Sequence, residues 1–157
     1  MNKAGLFILI LCTAVFCGCK TMEDGLIAGF VIIENKSAYD IGIDNSISKL
    51  WSYQEPITTT IASGQKYSFY CSYDGIGSVV SDPSDFVGSK CLITFGNGVS
   101  VIHTKRERWN DIAIEHSICE EGSFVLLKKE KLCNTFSYTF TDADYDRAVE
   151  WNATHGE

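Results

Sequence analysis

Hydrophobic and polar residues alternate along most of the chain after residue 30, and this period of two predicts β-strands. The pattern is clearest in residues 66–73, where one face carries Tyr67, Phe69, Cys71 and Tyr73. Comparable runs predict strands at residues 30–33, 39–43, 57–61, 91–95, 99–103 and 135–140. Turn-forming residues predict two hairpins, one through Asn35-Lys36-Ser37 and one through Gly96-Asn97-Gly98.

Two helical segments and one further strand complete the predicted secondary structure. Residues 123–129 are apolar on both faces, which indicates a central strand. The capping pattern Thr141-Asp142-Ala143-Asp144 predicts a helix, with an apolar stripe that lies across the end of the sheets and consists of Tyr145, Ala148 and Val149. A single helical turn is expected at Asp82-Pro83-Ser84-Asp85.

About eight short strands and one proper helix predict a mainly β fold. We expect an antiparallel β-sandwich or a partly open barrel with one short C-terminal helix. The 157 residues suit one domain, which we place at residues 27–151 with a polar tail at residues 152–157.

The N-terminus has the features of an export signal. Lys3 precedes the uncharged residues 4–16, a run shorter than the roughly 20 residues that a membrane-spanning helix needs. Cys19 follows Gly18 as in a bacterial lipobox, which predicts a signal peptide at residues 1–18, a lipidated Cys19 and a tether at residues 19–26. Phe16 and Cys17 depart from the usual lipobox, so uncleaved membrane anchoring and ordinary secretion are the alternatives.

The charge of the chain excludes one class of partner. The net charge is −7 and the pI about 4.9, whereas a nucleic-acid binder needs clustered Lys and Arg. The basic cluster at residues 105–109 offers Arg106, Arg108 and Trp109 as a docking patch for a partner, or it is a solvated loop.

Four cysteines, Cys71, Cys91, Cys119 and Cys133, remain after the signal and the lipidated residue are set aside. Their spacing favours two disulfides, Cys71–Cys91 and Cys119–Cys133. Pairing of Cys71 with Cys119 or Cys133 and four buried free thiols are the alternatives. A zinc site that combines His103 and His116 with Cys119 and Cys133 is disfavoured because no Cys-x-x-Cys pair is present.

The remaining candidate chemistry is sparse, and we expect no metal and no cofactor. Asp142, Asp144 and Asp146 copy the start of an EF-hand loop, but Arg147 and Ala153 occupy the positions of its glycine and glutamate, so we interpret the triplet as a helix start. Cys91 with His103 or His116 is a possible catalytic dyad. Four aromatic residues either form a platform that stacks on sugars or pack in the core, namely Trp51, Tyr53, Trp109 and Trp151.

Three segments resemble small cell-envelope lipoproteins of Bacteroides-type bacteria. They are the lipobox-like Cys19, the Ile33-Glu34-Asn35-Lys36-Ser37 opening and the closing run at residues 136–148. The resemblance implies an envelope β-sandwich lipoprotein without an assigned activity, and Cys19 is the one functional residue that it transfers.

Two classes of function follow from these patterns. The first is an outer-membrane lipoprotein, on either face of that membrane, with a non-catalytic binding or structural domain that recognises a protein or glycan partner through loops at one end of the sandwich. The second is a small envelope hydrolase whose site is assembled from dispersed carboxylates or from Cys91 and His103.

Overall fold

The computed structural model of the chain describes residues 26–48, 55–74, 80–106, 112–131 and 133–155. Eight strands and two helices occur in these ranges, namely β1 (Leu26–Asn35), β2 (Ile41–Asp44), β3 (Thr58–Ile61), β4 (Lys66–Asp74), α1 (Ser84–Val87), β5 (Lys90–Phe95), β6 (Ser100–Thr104), β7 (Val125–Lys128), β8 (Cys133–Phe140) and α2 (Asp142–His155). The strands form sheet A, in the order β4-β1-β8-β7, and sheet B, in the order β3-β2-β5-β6. The predicted mainly β, sandwich-like fold is confirmed.

The centre of sheet A departs from the antiparallel pattern. Of the six strand pairs in the described ranges, five are antiparallel, and the exception is β1 with β8. Ala28 lies opposite Cys133, and Leu26 lies opposite Asp74. We call this end of sheet A, where β1 and β8 begin and β4 ends, the lower end. The upper end is the opposite one, where α2 follows Phe140.

The hairpin predicted through residues 35–37 does not form, because β1 belongs to sheet A and β2 to sheet B. The buried Asn35 side chain holds this crossing of the chain instead. Its Nδ2 donates to the carbonyl oxygens of Tyr39 at 2.7 Å and Ile61 at 2.8 Å. Its Oδ1 accepts from the backbone N–H of Ser37 at 3.0 Å and from the Ser37 hydroxyl at 2.7 Å. One amide thereby links the end of β1 to the end of β3.

The second predicted hairpin, β5 with β6, is confirmed. Phe95 and Gly98 close its turn, since Gly98 donates to the Phe95 carbonyl at 2.8 Å while the Phe95 N–H donates to Val99 at 2.7 Å. Gly98 has a φ of 91°, a conformation that glycine adopts without a steric cost. This glycine is the residue that makes the three-residue turn possible.

Strand β7 is not the central strand that its composition predicted. It lies at the edge of sheet A, and each of its four residues is exposed. Its register with β8 shifts between Leu126 and Lys128, as in a β-bulge. An apolar sequence therefore occupies a position where strands usually carry polar side chains.

Both helices lie where the sequence pattern predicted them, but α2 extends further than predicted. The Asp82 carboxylate accepts the Ser84 N–H at 2.8 Å at the start of α1. α2 continues to His155, so it includes most of the predicted tail. The Tyr145 ring stacks on Tyr39 at 4.3 Å, which fixes α2 across the upper end as expected, whereas Val149 is exposed.

The core lies between the two sheets. Its fully buried large side chains are Val31, Ile33, Ile41, Ile43, Val80, Val87, Ile93, Phe95, Ile118, Tyr138 and Phe140. A second buried amide, Asn45, holds the lower end of sheet B. Its Nδ2 donates to the Val87 carbonyl at 3.0 Å, and its Oδ1 accepts the Ile57 N–H at 2.6 Å.

Candidate functional site

Strand β4 carries aromatic side chains that the sandwich covers only in part. Cys71 is buried on its inner face, but Tyr67 and Phe69 on the same face are half-exposed. Because β4 is an edge strand of sheet A, the described part of the chain pairs no further strand against its free side. Part of the inner face of β4 is therefore an aromatic surface that solvent can reach.

A cleft of about 300 Å³ opens beside these aromatic side chains. Its walls come from three segments: β4, the residues before β3 and helix α1. The residues that line it are Glu55, Pro56, Ile57, Tyr67, Phe69, Tyr70, Cys71, Ser72 and Phe86. Consecutive residues of β4 appear among them, so the backbone of this edge strand forms part of the wall. The cleft thus combines apolar rings with main-chain polar groups.

The lining groups of the cleft suit binding better than catalysis. Glu55 is the one carboxylate among the lining residues, and no histidine accompanies it. Burial raises the pKa of the Cys71 thiol to about 12, so the thiol is neutral near pH 7. A neutral thiol is a weak nucleophile, and a single exposed carboxylate has no partner with which to divide the roles of acid and base.

A second group of polar side chains surrounds Asp144 at the upper end. This buried carboxylate accepts four hydrogen bonds: His116 Nδ1 at 2.6 Å, Arg147 at 2.8 Å, and the Thr141 N–H at 2.7 Å and hydroxyl at 3.0 Å. Burial raises the pKa of Asp144, but the hydrogen bonds from His116 and Thr141 lower it by more, so it lies below its ordinary value. Asp144 is therefore an ionised carboxylate with several donors.

The contacts of His116 show that the Asp144 group holds a loop against α2. The His116 ring stacks on Tyr138 with a centroid distance of 4.7 Å, and the Tyr138 hydroxyl donates to the His116 carbonyl. His116 has a φ of 57°, which is uncommon for a residue with a side chain. Asp144 caps the first turn of α2 as its sequence pattern predicted, and it anchors this strained loop residue at the same time.

The three aspartates of the EF-hand-like pattern point to different partners. Asp142 accepts the Ala38 N–H at 2.7 Å, Asp144 binds the groups described above, and Asp146 is exposed. No three His, Cys, Asp or Glu side chains in the described ranges are grouped in a way that would hold a metal ion.

Cys91 and His103, the suspected dyad, lie opposite each other on β5 and β6. Both are buried, and burial lowers the pKa of His103 to about 4 while it raises that of Cys91 far above its ordinary value. The Nδ1 atom of His103 accepts the Ile118 N–H at 3.0 Å. The pair is therefore neutral and closed off from solvent, and it does not form the thiolate–imidazolium pair that a cysteine nucleophile requires.

The predicted disulfides are absent, since Cys71, Cys91, Cys119 and Cys133 are free thiols. Cys119 packs on sheet B, where its thiol contacts the His103 carbonyl oxygen at 3.5 Å, whereas Cys133 begins β8 in sheet A. Cys71 and Cys91 are likewise in different sheets. Chain spacing suggested these pairs, but the sheets separate the members of each pair.

The other docking residues proposed from the sequence are only partly described. Arg106 is exposed at the end of β6, with its Nε 3.9 Å from Glu120. Trp151 is half-buried in α2 and stacks on His155 at 4.1 Å. Arg108, Trp109, Trp51 and Tyr53 lie outside the described residues, as does Cys19. The cleft was not predicted from the sequence, although the alternation that places Tyr67, Phe69 and Cys71 on one face was the available signal.

Comparison with protein-family models, with curated proteins and with solved structures found no match for this chain. Among the described residues, no helix has the length and apolar character needed to cross a membrane. Any function must therefore be argued from the residues themselves.

Proposed function

We propose that the chain is a lipid-anchored protein of the bacterial cell envelope whose domain binds an extended segment of a partner protein. The observation that supports the binding role most directly is the aromatic cleft along the free edge of β4. Binding is favoured over hydrolysis because the Cys91–His103 pair is neutral and buried, while the Asp144 carboxylate is saturated with structural hydrogen bonds.

An exposed strand edge beside a cleft with aromatic walls suits β-strand addition. In this mode the partner's main chain hydrogen-bonds to the edge strand, which gives affinity, and alternate side chains enter pockets, which gives specificity. The backbone groups of β4 on the side that pairs with no strand in the described residues would make these main-chain hydrogen bonds. The rings of Tyr67, Phe69 and Phe86 would surround one partner side chain in the cleft.

A glycan is the second candidate ligand, because Glu55 lies on the same cleft as the aromatic rings. Rings that stack on the apolar face of a sugar and a carboxylate that accepts its hydroxyl groups are a common combination in binding sites. This ligand would use the cleft without pairing to the β4 backbone.

The two ligands can be distinguished by recording amide chemical shifts while the protein is exposed to an array of synthetic peptides and to an array of oligosaccharides. Strand addition predicts peptide-induced shifts along β4, with affinity lowered about tenfold or more by Phe69→Ser. Trp151→Ser is a matched control, because Trp151 is a half-buried aromatic residue in α2, which contacts β6 at the edge of sheet B opposite β3. If no peptide shifts β4, strand addition is wrong, and oligosaccharide shifts at the cleft would then support the glycan.

The membrane anchor is tested separately at Cys19. Cys19→Ala should move the protein from the membrane fraction to the soluble fraction and remove the acyl group detected by mass spectrometry. Cys17→Ala should leave both unchanged, because Cys17 follows the bulky Phe16 and is not the expected acylation site. Retention of the Cys19→Ala protein in the membrane, without any acyl group on the wild type, would contradict the lipoprotein proposal.

A further inference from the structure

The turn between β7 and β8 is a basic segment in an acidic chain. Residues 128–131 read Lys-Lys-Glu-Lys, a local charge of +2 in a chain of net charge −7. Lys128 and Glu130 form an exposed ion pair with a 2.7 Å separation. We call residues 128–131 the basic turn. Its charge alone would indicate only a solvated loop, so its position in the fold matters.

The basic turn lies at the end of sheet A from which the proposed tether leaves. β8 begins at Cys133, just after the turn, and Cys133 lies opposite Ala28 in β1. Cys19 precedes Leu26 by seven residues, which can span at most about 25 Å of extended chain. A lipid on Cys19 would therefore hold the lower end of the sandwich close to the bilayer.

Exposed apolar side chains accompany the lysines. Val125, Leu126 and Leu127 are 62 %, 48 % and 56 % exposed along β7. Lysines beside exposed aliphatic side chains are typical of protein surfaces at a membrane interface, where the aliphatic groups meet the acyl boundary and the ammonium groups meet phosphate. The same arrangement explains why an apolar strand occupies a sheet edge in this domain.

We propose that the basic turn contacts the phosphate headgroups of an anionic bilayer and orients the domain with its lower end against the membrane. This inference rests on the proposed lipidation of Cys19. The acyl chains supply the attachment, because the acidic domain as a whole is repelled by an anionic surface. The local positive charge then selects which part of the tethered domain faces that surface.

The structure provides matched internal controls for this orientation. Lys36 and Lys66, which both contact Glu34 at the upper end, have side chains 64 % and 62 % exposed, compared with 66 % for Lys128. These lysines should therefore react similarly with an amine reagent when no membrane is present. A difference between the two ends that appears only on a membrane would report orientation.

The experiment is lysine acetylation of the full chain, purified in detergent after expression with its signal sequence and then bound to the outside of vesicles. On vesicles of mixed phosphatidylcholine and phosphatidylglycerol, acetylation of Lys128, Lys129 and Lys131 should fall about fivefold or more relative to detergent. Lys36 and Lys66 should change less than about twofold, and 1 M salt, with a Debye length of about 3 Å, should remove the difference. Lys129→Gln combined with Lys131→Gln should abolish protection of Lys128.

The outcomes separate this inference from the proposal on which it rests. Protein that carries no acyl group and does not float with the vesicles contradicts the lipid anchor and the orientation together. Protein that floats, but whose basic turn reacts as fast as Lys36 and Lys66, contradicts the orientation alone. Equal protection on vesicles of pure phosphatidylcholine would also overturn it, since the contact would then not depend on anionic lipid.

Discussion

The upper end of the sandwich buries polar side chains, whereas the cleft side of β4 leaves aromatic side chains exposed. At the upper end, Asn35 and Asp144 are buried polar groups, and each makes four hydrogen bonds. On the cleft side, Tyr67 and Phe69 are apolar rings left half-exposed, and Tyr70 is 75 % exposed.

This contrast separates the part of the molecule that fixes the chain path from the part that can accept a ligand. A buried polar group without its partners costs free energy, so the upper end tolerates few alternative arrangements. An exposed aromatic face costs much less and remains available to a partner. We therefore expect substitutions at the upper end to affect stability most, and substitutions in the cleft to affect binding.

The largest loss of stability is expected for Asn35→Ala. This substitution removes the side-chain amide that bonds to the carbonyl oxygens of Tyr39 and Ile61 and to the N–H of Ser37. The free energy of unfolding should fall by about 3 kcal/mol or more, as measured by urea denaturation. Asn97→Ala, in an exposed turn at the same end, should cost less than about 1 kcal/mol. Similar losses for the two variants would contradict the role given to Asn35.

A smaller effect is expected for Gly29→Ala, which tests packing behind the cleft. A Cβ atom added to Gly29 would lie 2.7 Å from the Cys71 thiol sulfur and 3.2 Å from Val80. Such crowding should lower the free energy of unfolding by about 2 kcal/mol. Cys71→Ala removes the closest atom, so the double variant should lose about 1 kcal/mol less than the sum of the single variants. Additive losses would show that the thiol is not the obstacle.

The third prediction concerns the carboxylate at the upper end. Asp144→Asn should lower the free energy of unfolding by about 1–2 kcal/mol, because the ion pair with Arg147 is lost and the hydrogen bond with His116 is weakened. The folded pKa of Asp144 lies below the ordinary 3.8, so its contribution is present above that pH and is lost as the pH falls below it.

The pH dependence of the stability provides a control for this prediction. The wild type should lose stability between pH 5 and 3 more steeply than Asp144→Asn, as followed by denaturation at each pH. Asp146→Asn, at an exposed position of the same helix, should keep the steep wild-type dependence. Parallel pH curves for the wild type and Asp144→Asn would contradict the low pKa of Asp144.

The smallest effect is expected on the cleft side for Tyr70→Ser. Tyr70 is largely exposed and its main ring contact is Phe30, at a centroid distance of 4.8 Å. The free energy of unfolding should change by no more than about 0.5 kcal/mol. A loss as large as that of Asp144→Asn would mean that β4 contributes to the structural core through its outer face as well, and the contrast between the two regions would fail.

Several elements were predictable from the sequence because their signals are local. The alternation in β4, the turn around Gly98 and the capping pattern from Thr141 to Asp144 each depend on residues that are neighbours along the chain. For the same reason, the end of β5 at Phe95 follows from a short-range pattern. These predictions needed no knowledge of which strands pair.

The errors arose where the outcome depends on distant residues. The apolar composition of β7 predicted a central strand. In the structure, β1 occupies the inner position beside β8, and β7 lies at the edge of sheet A. Spacing suggested Cys119–Cys133, but the loop residue Cys119 packs against sheet B, whereas Cys133 begins β8 in sheet A. In the described part of the chain, β4 pairs with a strand on one side only, which leaves the cleft open along its other edge, and no pattern within β4 reveals that.

The sequence alone thus determined the type, the approximate limits and the inner face of most strands, because side-chain alternation and turn chemistry act over a few residues. It also carries the residues from which we predict an export signal and lipidation at Cys19, because such signals are linear motifs. Tertiary structure decided the parallel pairing of β1 with β8, the placement of Cys71 and Cys133 in sheet A with Cys91 and Cys119 at sheet B, and the grouping of His116 with Asp144. These features join residues far apart in the chain, and only the packing of two sheets determines which of them meet.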